Sequence, residues 1–221
     1  MSTSTLTGPM ADVRDMYVVH RVFRREFTLI PRLVRAVPQG DTARATVVAD
    51  HLRLVLAGLH MHHTGEDELL WPLLLERAAP AADLVHTMQA QHARVDDYSE
   101  RLEPLVDGWV TTASAVRAEQ VARLVEEFWV ALLEHLELEE REILPLASRH
   151  VTAAEWEGLA KHGNHEMRRD QLPLMFGALL EDVTEEERAM MLAKQPLPIR
   201  LLLTWVLLRK YTRYINRVRH G

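Results

Sequence analysis

Apolar residues along this chain recur at helical rather than strand spacing. From Ala11 to about Val37, the positions Val13, Tyr17, Val18, Phe23, Phe27, Leu29, Ile30, Leu33 and Val34 form one stripe of a helix. Pro31 within that run lacks a backbone donor and predicts a kink. Pro38-Gln39-Gly40-Asp41 then reads as a stop, a turn and an N-cap. Similar runs over about 42–78, 81–109 and 115–149 predict three more long helices. Gly65 and Pro72 mark irregularities in the second run, and Pro145 lies near the end of the fourth. No alternating stretch is bounded by hairpin turns, so strands are not expected.

Four long helices with short connections predict an all-α fold, an antiparallel four-helix bundle spanning residues 11–149. A disordered lead-in is expected over 1–10. A helical C-terminal extension, 150–221, is expected to pack on or beside the bundle, with pieces over about 152–161, 165–180, 184–194 and 199–218. Thr184 and Glu187 have the spacing of a capping box.

Composition narrows the chemistry. At 221 residues, 48% hydrophobic and 26% charged, the chain has the make-up of a globular protein with a real core. It has no cysteine, which excludes disulfides, thiolate metal sites and cysteine nucleophiles and suits a cytoplasmic protein. The first residues do not read as a secretory signal, and no apolar run is long enough to suggest a membrane span. The most apolar run, Leu201–Leu208 with Trp205 inside it, is closed by Arg200 and Arg209 and is expected to make core or docking contacts. Charge is lopsided: no acid follows Glu187, and the eight cations beyond it leave 18 basic against 32 acidic residues in the first 187. No nucleic-acid partner is expected of so acidic a body, although the basic tail could meet a protein partner. Twelve histidines are many for this length.

Those histidines fall into a repeat. His62 and His135, Glu66 and Glu139, and Pro72 and Pro145 are each 73 residues apart, and His20 and His92 are 72 apart. A lone His followed on the next helix by His-x-x-x-Glu therefore occurs twice. Residues i and i+4 share a helix face, so each copy presents an imidazole and a carboxylate together. Related by a pseudo-twofold axis, His20, His62, Glu66, His92, His135 and Glu139 should converge at one level of the bundle. Imidazole with carboxylate suits iron, and also manganese or zinc. Asp67 and Glu140 are candidates to orient the outer imidazole nitrogens. Asp96 and the pairs His60/His63 and His162/His165 read as surface residues, and His51, with no partner at a useful spacing, as an ordinary one.

On these residues the chain resembles the hemerythrin-like (HHE cation-binding) proteins, whose pattern is His, His-x-x-x-Glu, His, His-x-x-x-Glu on four successive helices. The resemblance covers about residues 11–149. It implies a centre of two non-haem irons, oxo- or hydroxo-bridged, held by a His4Glu2 set with histidines as terminal ligands and Glu66 and Glu139 bridging. The implied function is binding or reducing O2, peroxide or NO, with peroxidase- or catalase-like turnover as the enzymatic form. The alternative is an iron or oxygen sensor without turnover, signalling through metal-dependent folding and the basic tail. The oxygen-carrying members have a further histidine four residues after the lone His of the third helix. Asp96 stands there in this chain, leaving His63, Asp96, His165 or water to fill that ligand position.

Overall fold

A computed structural model describes residues 8–166, 168, 170–193, 200 and 208–221, without the side chains of residues 160 and 163–166. The predicted bundle is formed by α1 (Arg14–Arg35), α2 (Thr42–Gly65), α4 (Ala82–Val110) and α5 (Ala115–Leu138), with α3 (Trp71–Arg77) and α6 (Leu144–His150) extending α2 and α5. Each of α1 and α4 packs against both α2 and α5, closing the ring of four. Asp41 caps α2 by accepting from the Arg44 amide at 2.9 Å, and Gly40 takes the positive φ of +85° that the preceding turn demands. Ser114 caps α5 in the same way, through the Arg117 amide at 3.3 Å. Helix α1 runs through Pro31, which is buried within it.

The irregularities marked by Pro72 and Pro145 are π turns, Glu66–Leu70 and Glu139–Ile143. In each, the amide of the residue before the proline donates five residues back, Trp71 to Glu66 and Leu144 to Glu139. An α-helical turn would press the proline ring against the carbonyl four residues earlier, and the wider turn relieves that clash. The chain thus stays helical from Thr42 to Arg77 and from Ala115 to His150, with one turn in each run opened directly at the repeated glutamate.

Two apolar layers fill the bundle. One contains Phe23, Phe27, Leu59, Val95, Phe128 and Leu132; the other contains Met16, Leu70, Trp71, Met88, Ile143 and Leu144. On every helix the repeated histidine falls between them: Met16–His20–Phe23, Leu59–His62–Leu70, Met88–His92–Val95 and Leu132–His135–Ile143. The polar residues form a sealed layer across the middle of a hydrophobic core.

The extension comprises α7 (Ala153–Glu166), α8 (Leu172–Leu179), α9 (Glu185–Ala193) and α10 (Leu208–His220). The expected cap of Thr184 with Glu187 forms through reciprocal bonds of 2.8 and 3.2 Å, and Thr152 pairs with Glu155 in the same way. Helices α8 and α10 pack on the bundle through Val22, Ala178, Tyr211, Ile215 and Val218. A polar network lies beside that contact. His51 joins Glu26 at 3.0 Å and Tyr214 at 2.9 Å, while Arg219 reaches both Glu26 and Glu181. His51 is therefore buried and partnered rather than ordinary, and its partners sit on other helices, where spacing along one helix reveals nothing.

Of the expected lead-in, residues 1–7 lie outside the described residues. Pro9 and Ala11 instead exchange backbone hydrogen bonds with Ala153 and Val151 at 2.8 and 2.9 Å, tying the start of the chain to the segment entering α7. The run 201–207, with Trp205, also lies outside the described residues. Among the described residues no helix is long and apolar enough to cross a membrane, and the only strand-like pairing is the isolated bridge of Met10 with Thr152.

Candidate metal centre

All six residues picked out by the repeat meet in the sealed layer. His20, Glu66, His135 and Glu139 are 0% exposed and His92 is 2% exposed, with the His62 side chain at 8%. A seventh joins them. His63, read from sequence as a surface residue but also as one candidate for the open ligand position, is 2% exposed and stacks on His92 with ring centroids 3.9 Å apart and planes 10° apart. His62 and His63 precede Glu66 by four and three residues, so on one helix face they flank it on either side. That spacing is the signal that singles His63 out among the candidates for the open position; the repeat gives none, because its counterpart in the second copy is Leu136.

The donor atoms form two interlocking groups, His63–Glu66–His92–His135 and His20–His62–Glu66–Glu139, each with its candidate atoms within 4.8 Å of one another. Glu66 belongs to both, its Oε1 3.4 Å from His62 Nε2 and its Oε2 3.4 Å from His92 Nε2. Glu139 also touches a histidine of each group, with Oε2 3.2 Å from His20 Nε2 and 3.6 Å from His135 Nε2. Asp96 does not reach the layer: its half-exposed carboxylate faces His60 at 3.6 Å on the surface. His63 takes the place in the layer for which Asp96 was a candidate. The His165 side chain lies outside the described residues, and His162 sits on α7 with its Nε2 3.7 Å from Glu68. A β-carbon at Gly65 would meet only that His162 ring, at 3.8 Å, so crowding does not demand the glycine.

Outside the layer, three imidazoles are held by their Nδ1 atoms: His20 by Glu140 at 2.9 Å, His92 by Asp67 at 2.9 Å and His135 by Gln91 at 3.2 Å. A carboxylate or amide oxygen there fixes the Nδ1–H tautomer and turns a bare Nε2 inward, as metal ligation requires. Sequence had offered Asp67 and Glu140 for this role; Gln91 went unnoticed because nothing in its spacing marks it.

The inner atoms decide what the layer is for. His20 Nε2, His62 Nε2, His92 Nε2, His135 Nε2, both ring nitrogens of His63 and all four oxygens of Glu66 and Glu139 are buried with no hydrogen-bond partner. Buried polar atoms are ordinarily paired, and each unpaired one costs about 1–3 kcal/mol. So many in one buried layer, all aimed inward, fit the binding of metal cations.

Without a cation, protons redistribute. Burial and the neighbouring Glu139 push Glu66 up to about 8. Burial would depress His20 and His92, but Glu139 beside His20, and Asp67 and Glu66 beside His92, reverse the effect and raise each to about 9. Burial holds His62 and His135 down to about 3, and His63 well below its ordinary value. Burial acts to raise Glu139, but His20, His135 and His62 around it more than compensate, and it stays below the carboxylate range. Protons on His20, His92 and Glu66 thus occupy places where a cation would otherwise supply the charge, and metal uptake should expel them.

Comparison with known proteins agrees with this geometry. A curated relative, the iron-sulfur cluster repair protein YtfE of Musicola paradisiaca (strain Ech703), is 28% identical over 149 residues, covering 63% of this chain and 67% of the relative. No solved structure matches. The family model described as the hemerythrin HHE cation-binding domain matches residues 11–147, which include all seven inward-facing residues. The chain belongs to the hemerythrin HHE cation-binding domain family.

Proposed function

We propose that the layer holds two iron ions, one in each donor group, bridged by Glu66 and Glu139, and that the protein binds or reduces O2, peroxide or NO there. The observation that carries this reading is the pair of interlocking groups sharing Glu66, with every inward donor atom otherwise unpartnered. Seven residues from four helices would hold the ions, and iron would supply the redox chemistry. The chain's own residues do the rest. Glu140, Asp67 and Gln91 fix the tautomers of His20, His92 and His135. The two apolar layers exclude bulk water, and the bridging carboxylates keep two like charges close together.

Metal analysis and an absorption spectrum, before and after peroxide, test this on the wild type and on Glu66→Ala and Glu139→Ala. Two irons per chain with a near-ultraviolet charge-transfer band are expected, and both should be lost in Glu66→Ala. Well under one iron per chain, or a band indifferent to both substitutions, refutes the reading.

The name of the relative suggests a second reading, in which the centre gives up iron for repair of an iron–sulfur cluster. The inequality of the donor groups favours it, since one contains three histidines and the other two. Under a ferrous chelator, one iron per chain should then leave well ahead of the other; simultaneous loss would count against it.

A further inference from the structure

The lone histidines of the two copies are supported alike and capped differently. Glu140 and Asp67, which hold His20 and His92, stand 73 residues apart and in register. The group that holds each carboxylate breaks that symmetry. Glu140 is gripped by the Arg24 guanidinium through hydrogen bonds of 2.6 and 3.1 Å. Asp67 receives a neutral donor instead: the Trp71 indole N–H at 2.7 Å, on the same oxygen that accepts from His92. Neither cap has a counterpart in the other copy. Four residues after His20 stands Arg24, while four after His92 stands Asp96, turned to the surface and His60. The residue in register with Trp71 is the buried, apolar Leu144.

We propose that Arg24 is a positioning residue that holds down the donor strength of His20, a restraint that His92 lacks. A carboxylate accepting the outer N–H of a ligating imidazole draws that hydrogen toward itself and makes the inner nitrogen a better electron donor. The effect shrinks as the carboxylate's charge is taken up elsewhere. A two-pronged guanidinium bond is charge-assisted and roughly twice as strong as a neutral one. Glu140 therefore has less charge to spend on His20 than Asp67, capped only by an indole, has to spend on His92. A metal bound to His20 is kept easier to reduce than the same ligand set would make it with Glu140 uncapped. Both chain copies contain the support, but only one contains its attenuator.

This inference rests on the two-iron reading, and the experiment separates the two. In iron-loaded protein, Arg24→Met should favour the ferric over the ferrous state about tenfold, lowering the midpoint potential by about 59 mV for one electron. Arg24→Lys, which keeps a cation on Glu140, should recover most of the shift. Trp71→Phe should move the potential the same way by a smaller amount. Arg21→Met is the control, because Arg21 is next to His20 in sequence but binds Glu187 at 2.7 Å and the Asp182 carbonyl at 2.8 Å rather than Glu140. Its potential should change less than threefold in equilibrium terms. An unchanged potential in Arg24→Met, or an equal shift in Arg21→Met, overturns the proposal even with two irons bound. Wild-type protein that takes up no iron overturns the two-iron reading and this inference with it.

Discussion

Replacing His63 by leucine should make the metal-free protein more stable while crippling its metal centre. The second copy of the repeat already carries the outcome, since Leu136 occupies the position in register with His63 and is fully buried. His63 brings two ring nitrogens into the core and pairs neither. At about 1–3 kcal/mol for each unsatisfied buried group, removing both returns several kcal/mol. Loss of the 3.9 Å stacking on His92 subtracts about 0.5–1.5 kcal/mol, and a net gain of about 0.5–5.5 kcal/mol remains. For a chain of this size each kcal/mol raises the melting temperature by about 2–4 °C. The assay is urea unfolding of chelator-treated protein, where His63→Leu should raise the midpoint without changing the slope. Added iron should invert the order, because the wild type gains stability from both donor groups and the variant from one at most. A metal-free variant less stable than metal-free wild type would refute the reasoning, for it would mean that the histidine is satisfied within the protein.

Acid should weaken the bundle around Glu26. Burial acts to raise Glu26, but His51 and Arg25 overcome it and hold the carboxyl at about 2, against an ordinary value of 4.5. The folded value is depressed, so this stabilisation is complete above pH 4.5 and is lost as pH falls toward 2; at 1.36 kcal/mol per unit it amounts to about 3 kcal/mol. Unfolding midpoints measured from pH 6 to 2 should fall less steeply in Glu26→Gln than in wild type. Arg219→Met, which strips Glu26 and Glu181 of a shared partner, should cost about 1–3 kcal/mol and speed proteolysis ahead of α10, read as early release of a C-terminal fragment. Metal uptake at pH 7.5 in weak buffer should release protons, since His20, His92 and Glu66 are all raised above that pH, and a pH electrode reads this directly. If the protein signals its metal state through the basic tail, chelation should also change the digestion pattern of residues 208–221, and identical patterns would exclude that role.

The helices and the six repeated residues were legible because helical periodicity and an internal repeat are both properties of one dimension. His63 entered only as one of several candidates for the ligand position where Asp96 stands, because it has no histidine partner 73 residues on and the two halves of the centre are not identical. Asp96 was a ligand candidate by position, yet its side chain turns to His60, a choice fixed by packing between α2 and α4. Gln91, the Glu26–His51–Tyr214 chain and the pairing of Pro9 and Ala11 with the entrance to α7 leave no mark on periodicity. Each joins residues far apart in sequence through polar contacts that any surface residue could equally make.

The two π turns carry the repeat from the side chains into the backbone. A π turn holds one residue more than an α-helical turn would. Both halves of this chain contain it at the same place, opening on the repeated glutamate and closing before the repeated proline. The halves are thus alike in backbone geometry at this point as well as in side chains. Arg24, Trp71 and His63, each present in one half alone, are where that likeness ends.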